Sequence, residues 1–294
     1  MDYRESFINY LKYEKRCSSH TVVAYKNDLD QFVQFSTEMV GEFNVKETDS
    51  KLVRNWIVQL MENKLSARSV TRKITAIKSF FKYLLKEQIV EINPATYLVL
   101  PKIRKKLPNF VEEPNLHHLL DDGFFSNDFV GIRDKLIITL LYGTGIRLAE
   151  LLLLKDSDFD TKVCLIKVLG KRKKERIIPY PASVNILFEL YLNVRNSAVG
   201  FKSERLLVTE NGKPAYEKLI YRVVNNNLAK VTLLEKKSPH VLRHTYATHL
   251  LNKGADLNAV KELLGHSNLA ATQVYTHTSF ERLHDIYKQA HPRG

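Results

Sequence analysis

Residues 239–277 have the sequence PHVLRHTYATHLLNKGADLNAVKELLGHSNLAATQVYTH. His240, Arg243, His266 and Tyr275 follow one another in this run. A phenol can attack phosphorus when nearby positive charge lowers the cost of its phenolate, and guanidinium and imidazole groups supply such charge. Each residue alone is more often structural, since tyrosines at helical spacing usually lie in a core. Their joint order favours a site for phosphoryl chemistry.

The composition indicates a polyanionic partner. The chain has 294 residues, 44% of them hydrophobic, and its 45 Lys and Arg exceed its 32 Asp and Glu, giving a net charge of +13. This size and composition suit one or two globular domains with a real core. Nucleic acid is the leading partner. An anionic membrane surface is the rival, but no single basic amphipathic helix dominates the sequence.

The cysteine content and the apolar runs predict a cytoplasmic protein, and a DNA partner would make it nucleoid-associated. Cys17 and Cys164 are too few and too far apart for a disulfide framework, which fits a reducing compartment. The longest apolar run, 151–154, is far too short to cross a bilayer, and the amino terminus has no uninterrupted apolar core. We therefore expect no membrane partner.

Residues 1–98 have the pattern of four helices and form the predicted N-terminal DNA-binding domain. Apolar residues recur at spacings of three and four, with Ser18 and Ser19 as candidate caps of the second helix and the fourth helix beginning near Ser66. Basic residues lie off the apolar stripe of the fourth helix. A solvated face is the usual meaning of such a pattern, but small hydroxyl residues alternate with the bases and favour phosphate contacts. The candidate DNA-binding residues here are Arg68, Arg72, Lys73 and Lys78.

Residues 99–110 form a predicted basic linker, because prolines interrupt regular structure there. A merely solubilising tether and a segment that follows a phosphate backbone are nearly equal alternatives. Its candidate DNA-binding residues are Lys102, Arg104, Lys105 and Lys106.

Residues 111–294 form the predicted catalytic domain, which is mainly helical with a small β-hairpin. A helix ends at the turn 143–145, and the next places Arg147 and Glu150 three residues apart. CLIKVL and ERIIPY are β-prone runs that flank a basic tip, 170–174. Further helices are predicted at 182–199, 216–228 and 241–253, with Gly254 ending the last of them.

The chain resembles the tyrosine recombinases of the phage integrase superfamily, and most closely the Xer type. The most specific match is the quoted run, with H-x-x-R-H, then L-G-H, then a tyrosine nine residues later. TGIRLAELLLLKDSDFD and VLGKRKKERIIPYP match moderately, and SSHTVVAYKNDLDQFVQF and RSVTRKITAIKSFFKYLL weakly. The resemblance implies a four-helix SAM-like core-binding domain followed by a tyrosine-recombinase catalytic domain.

The resemblance also implies a role for each candidate residue. Arg147 and Arg243 would grip the scissile phosphate, and His266 would donate to it. His240 would accept the proton of the nucleophile Tyr275, which would leave a 3′-phosphotyrosyl link. Glu150 would orient its neighbours, and Lys171 would protonate the 5′ oxygen. Because Arg172, Lys173 and Lys174 crowd this loop where the family often has small residues, Lys173 is an alternative acid, and these three are also candidate DNA-binding residues.

The resemblance implies no metal and no ATP, since a phosphotyrosyl link stores the energy for rejoining. The expected partner is double-stranded DNA with a specific recombination site. Four subunits, in a homotetramer or a heterotetramer with a paralogue, would hold two duplexes through a C-terminal helix at 279–290. Chromosome-dimer resolution and integration or excision of a mobile element remain open. The alternatives are a type IB topoisomerase, a non-catalytic DNA-binding protein and a histidine-based metal hydrolase, which lacks a suitable acidic partner.

Overall fold

The computed structural model describes residues 2–101, 109–170, 175–199 and 203–265. The chain divides into two compact units, Met1–Lys106 and Leu107–Gly294, and the division falls within the predicted linker. Several predicted residues lie outside the described residues: Lys102, Arg104, Lys105, Lys106, Lys171, Arg172, Lys173, Lys174, His266, Tyr275 and the helix at 279–290.

The N-terminal unit is helical, as predicted. Four of its helices begin after a residue whose side-chain oxygen accepts a hydrogen bond from a backbone N–H of the first turn: Asp2, Ser18, Asp49 and Ser66. The predicted cap Ser18 is therefore confirmed, whereas Ser19 lies inside the helix, and the fourth helix begins after Ser66, near its predicted start. The helices are α1 (Tyr3–Asn9), which continues as a π-helical turn (Tyr10–Glu14), α2 (Ser19–Val40), α3 (Ser50–Glu62) and α4 (Ala67–Lys86).

Each of these four helices gives an aromatic side chain to one core. Phe7, Phe32, Trp56 and Phe80 are each at most 1% exposed. The rings of Phe32 and Trp56 meet edge to face at 5.1 Å, and those of Phe7 and Phe80 at 5.4 Å. The apolar stripes predicted from sequence thus converge on a single core.

The predicted basic face of α4 needs correction at two positions. Lys73 is 5% exposed, and its ammonium pairs with the buried carboxylate of Asp28 at 2.9 Å. The expectation that Lys73 lies on the open face is wrong, because an Asp on α2 draws it inward. Lys78 is half-buried and donates to two carbonyls, those of Thr96 and Leu98. Arg68 is exposed.

Arg72 lies between these two cases. Its guanidinium pairs with the opposite oxygen of Asp28, yet its side chain remains 45% exposed. It borders an open groove between α2 and α4 that also includes His20, Asn27 and Gln31. Asp28 therefore fixes one basic side chain inside the unit and one at its surface.

The second unit combines helices with a small antiparallel sheet, as predicted. Its core runs through both, and includes Leu136, Ile166 and Leu242, each fully buried. The described elements are α5 (Glu113–Leu120), α6 (Phe129–Thr144), α7 (Leu148–Leu153), β1 (Phe159–Asp160), β2 (Leu165–Leu169), β3 (Glu175–Pro179), α8 (Ser183–Val199), α9 (Glu217–Ala229), α10 (Pro239–Asn252) and α11 (Leu257–Leu263).

Helix α6 is buried on nearly all sides and ends at the predicted turn. It packs against both α8 and α10. Gly145 caps it in the left-handed conformation, with φ of 60°, and a Cβ there would lie only 2.4 Å from the ring of Tyr246. Only glycine suits this turn, which brings the chain back at once into Arg147.

The predicted hairpin is confirmed, with one additional strand. Strands β2 and β3 pair in antiparallel register, with Val168 opposite Arg176. The additional strand β1 pairs with the outer edge of β2. It has only two residues, too few for the alternation that marks a strand in sequence.

Helix α11 was not predicted, whereas the end of α10 before Gly254 is confirmed. Asp256 caps α11 by accepting from the N–H groups of Asn258 and Ala259. Seven residues give too short an apolar stripe to stand out from sequence. Among the described residues, no helix combines the length and apolarity needed to cross a bilayer.

Candidate active site

Arg147 lies at the N-cap of α7, directly after the Gly145 turn. Its own backbone N–H donates to Oε2 of Glu150 at 2.7 Å, and its guanidinium donates to Oε1 at 3.0 Å. Arg147 and Glu150 therefore pair, although Arg147 precedes the helix that was predicted to include it. Its side chain is 38% exposed, which leaves the guanidinium open on one side.

Arg243 reaches the same place from α10. Its side chain is buried, and it donates to the carbonyl oxygens of Gly145 and Leu264, both at 2.5 Å. These bonds tie the turn before Arg147 to the end of α11. The structure thus brings together two predicted arginines that are 96 residues apart in the chain.

Glu150 has a second and closer partner that sequence analysis missed. Arg176, on β3, grips the Glu150 carboxylate with both terminal nitrogens at 2.6 and 2.9 Å. Its Nε donates to the carbonyl of Leu263 at 3.3 Å. One signal could have revealed it: Arg176 shares the inward face of β3 with Ile178, and an arginine on an apolar strand face needs an acidic partner.

Three arginines hold three successive carbonyls at the end of α11. Arg176 donates to Leu263, Arg243 to Leu264, and Arg147 to Gly265, the last at 2.9 Å. Carbonyls in the last turn of a helix lack intrahelical partners and carry partial negative charge, so cations are favoured there. The described chain ends at this turn, and the next residue in sequence is His266.

The cluster of Arg147, Arg176, Arg243 and Glu150 has an excess of positive charge, with three cations and one anion. Burial raises the pKa of Glu150, but hydrogen bonds and charge from Arg176 and then Arg147 outweigh it and hold this pKa below its usual value. Burial, followed by the charge of Arg147, lowers the pKa of Arg243 to about 10. Arg243 therefore remains charged near neutral pH, and the excess of positive charge in the cluster favours an anion such as a phosphodiester.

His240 lies in the first turn of α10, after Pro239, and is exposed. It is three residues from Arg243, a spacing that places both near one face of the helix. Burial and then the charge of His240 lower the pKa of His244, one turn further along. The exposed imidazole of His240 is accessible from solvent at this point.

Four predicted site residues are described, and they lie at two elements. Arg147 and Glu150 lie at the start of α7, and His240 and Arg243 lie on α10. Lys171, Lys173, His266 and Tyr275 lie outside the described residues. Both gaps nevertheless adjoin the cluster in sequence. The first ends one residue before β3, which carries Arg176, and the second begins after Gly265.

Comparisons with known proteins identify the family. The phage integrase family model matches residues 111–282, and the N-terminal SAM-like domain model of phage integrases matches residues 5–88. The tyrosine recombinase XerC of Oceanobacillus iheyensis is 38% identical, covering 99% of this chain and 96% of the relative. That of Bacillus subtilis is 36% identical, covering 98% and 95%.

Solved structures share the fold. The Tn1549 transposon integrase in complex with transposon right end DNA matches with a TM-score of 0.74 and 20% identity, covering 96% of this chain and 99% of that one. The XerH site-specific recombinase bound to palindromic difH substrate matches with a TM-score of 0.71 and 24% identity, covering 96% and 83%. With a family model over more than half of its length and relatives above 30% identity along nearly all of it, the chain belongs to the phage integrase family of site-specific tyrosine recombinases.

Proposed function

We propose that Tyr275 cleaves one DNA strand within a phosphate site formed by Arg147, Arg243 and His266. The observation that carries this proposal is the Arg147 and Arg243 pair at the end of α11, because both arginines donate to the turn that immediately precedes His266. Two cations at this point can neutralise the nonbridging oxygens as charge builds on phosphorus.

In the proposed cleavage step, one bond to phosphorus forms as another breaks, and residues of the protein accept and supply the protons. The Tyr275 phenolic oxygen attacks phosphorus, and the bond from phosphorus to the 5′ oxygen breaks. His240 accepts the phenolic proton, and Lys171 donates a proton to the departing 5′ oxygen, with Lys173 as the alternative donor. The product is a 3′-phosphotyrosyl link and a free 5′ hydroxyl. Attack by a 5′ hydroxyl of a partner strand reverses these steps and needs neither metal nor ATP.

The proposed substrate is double-stranded DNA with a specific recombination site. Basic residues on several segments support this choice, including the exposed Arg68 and Arg72 of the N-terminal unit. We also assign the linker residues Lys102, Arg104, Lys105 and Lys106 and the hairpin residues Arg172, Lys173 and Lys174 to phosphate contacts. Such contacts position the duplex, whereas base readout sets the site.

The proposed assembly is a tetramer on two duplexes, linked through residues 279–290. This segment has an apolar stripe that a neighbouring subunit would cover: Phe280, Leu283, Ile286 and Tyr287. The relatives named XerC match along nearly the whole chain, which favours chromosome-dimer resolution, on nucleoid DNA in the cytoplasm, over movement of an integrative element. A homotetramer and a heterotetramer with a paralogue both fit this arrangement.

A suicide substrate tests the proposal. In a site nicked just downstream of the scissile phosphate, the short fragment that carries the new 5′ hydroxyl dissociates after cleavage, so the covalent protein–DNA adduct accumulates and is seen on a denaturing gel. We expect wild-type protein to form this adduct in EDTA and Tyr275→Phe to form none while binding the same DNA. A requirement for metal, or an adduct with Tyr275→Phe, contradicts the mechanism. A protein that binds the site without any adduct would be a non-catalytic DNA-binding protein.

A further inference from the structure

Arg176 connects three parts of the candidate active site. It lies on β3, the strand that follows the basic hairpin tip. Its terminal nitrogens hold Glu150 beneath Arg147, and its Nε holds Leu263 at the end of α11. A single guanidinium therefore connects strand β3, helix α7, which carries Glu150, and the turn before His266.

Arg176 does not face a substrate. Its side chain is 8% exposed, and each of its three nitrogens donates to a protein acceptor. The exposed partner of the same carboxylate is Arg147, at 38%. Arg147 is thus the group open to phosphate, and Arg176 acts on phosphate only through Glu150 and the α11 turn.

The turn at Gly265 packs directly on Arg176. Gly265 has φ of 66°, and a Cβ there would lie 3.1 to 3.2 Å from Nε, Cδ and Cζ of Arg176. The carbonyl of Gly265 accepts from Arg147. The planar face of Arg176 is therefore the surface against which this turn is set, while its edge holds Glu150.

A lysine cannot replace this arrangement. The guanidinium is a rigid planar fork that matches both oxygens of a carboxylate, whereas an ammonium is a point charge on a flexible stem. Lysine would keep the positive charge but lose the two-point grip on Glu150 and the flat surface under Gly265. Charge and geometry can thus be separated by one substitution.

We propose that Arg176 is a positioning residue, which fixes Glu150 and the α11 turn so that Arg147 is correctly placed for the scissile phosphate. This inference rests on the proposed function of Arg147. Small displacements of a group that stabilises a transition state reduce rates by about 100-fold. Arg176→Lys therefore slows cleavage while leaving affinity for the whole DNA site almost unchanged.

Arg195 offers a matched control. It is also buried, grips Asp156 with two nitrogens at 2.9 and 2.7 Å, and donates to the carbonyl of Leu206 at 3.0 Å. None of these partners belongs to the candidate active site. Arg195→Lys therefore reproduces the loss of a buried fork in the same unit without disturbing Arg147.

The first test compares cleavage of two suicide substrates, one with a normal scissile phosphodiester and one with a methylphosphonate, which lacks the negative charge on the nonbridging oxygens. We expect Arg176→Lys to lose roughly 10- to 100-fold in adduct formation on the phosphodiester. The loss should be much smaller on the methylphosphonate, because less charge needs neutralising there. Arg195→Lys should lose equally little on both. Equal losses on both substrates for Arg176→Lys, or no loss, would overturn the positioning role.

The second test does not depend on cleavage. Inorganic sulfate serves as an anion that can bind the arginine pair. The increase in the protein's Tm on addition of sulfate is measured for four full-length proteins: wild type, Arg147→Ala, Arg176→Lys and Arg195→Lys. We expect Arg147→Ala and Arg176→Lys to lose the same part of the rise, and Arg195→Lys to keep the whole of it. A full rise in Arg176→Lys contradicts the inference. If wild type forms no adduct but Arg176→Lys still loses the rise, the proposed function fails and the positioning role stands.

Discussion

Glu150 is the residue on which the described part of the site depends. It is the one carboxylate that Arg147 and Arg176 share, and its side chain is 4% exposed. Removing one member of a buried ion pair typically costs about 3 to 5 kcal/mol, because the other charge is left uncompensated. We expect Glu150→Gln to reduce the free energy of unfolding by roughly this amount at pH 7.

The pH dependence of this loss has a definite sign. The pKa of Glu150 is lowered in the folded protein, so its contribution is present above the unfolded pKa and disappears as pH falls through the folded pKa. Urea denaturation from pH 7 to about pH 3, below the usual Glu pKa of about 4.3, measures it. The difference between wild type and Glu150→Gln should shrink toward acid pH. A difference that stays constant or grows would show that Glu150 is not stabilised as a carboxylate.

Single residues also mark the limit of what sequence predicts. Arg147, Arg243 and Glu150 were found because their order along the chain is distinctive. Arg176 was missed and Lys73 was assigned to an exposed face, since no residue near either of them in sequence identifies the acid that pairs with it. A partner distant in sequence, Glu150 or Asp28, draws each one inside. Tertiary packing decides which acidic residue pairs with which basic residue. Local sequence patterns therefore do not reveal such a pair when its members are far apart in the chain.

At the scale of elements, the strong periodic patterns were predicted and the short ones were not. Helices α2, α3 and α4 and the hairpin of β2 and β3 repeat their apolar pattern over enough residues to be recognised. Strand β1 and helix α11 have two and seven residues, and tertiary contacts stabilise them. Without α11, the sequence could not show where the three arginines come together, because they donate to the carbonyls at the end of this helix.

The hairpin also carries the prediction for the general acid. We expect Lys171→Ala to reduce cleavage of ordinary DNA by roughly 100- to 10,000-fold, because the 5′ oxygen then leaves without a proton. A 5′-phosphorothiolate substrate has a sulfur leaving group that needs no acid, so it should restore the rate. Lys173→Ala is the matched control, measured in the same single-turnover assay. Selective rescue of Lys173→Ala would move the role to that lysine.

At the scale of the whole molecule, a net charge of +13 predicts that salt weakens DNA binding. Each phosphate that the protein neutralises contributes about −0.9 to the slope of log K against log salt concentration. We expect Arg68→Ala to make this slope shallower by about 1, since Arg68 is exposed on α4. Fluorescence anisotropy of labelled duplex over a range of KCl concentrations measures the binding constant at each concentration and therefore the slope.

Lys73→Met serves as the control for Arg68→Ala. Lys73 is on the same helix but buried against Asp28, so its loss should lower Tm and leave the salt slope unchanged. A shallower slope for Lys73→Met, with no change for Arg68→Ala, would show that Lys73 contacts a DNA phosphate and Arg68 does not.

We propose above that Tyr275 becomes covalently joined to DNA at the phosphate site of Arg147 and Arg243. Trypsin cleavage after Lys261 and Arg282 releases residues 262–282, in which Tyr275 is the only tyrosine. The adduct from a suicide substrate, digested with trypsin and nuclease, is analysed by tandem mass spectrometry. We expect this peptide to carry a nucleotide 3′-phosphate on Tyr275. The same modification on Tyr246, Tyr287 or any other residue would contradict it.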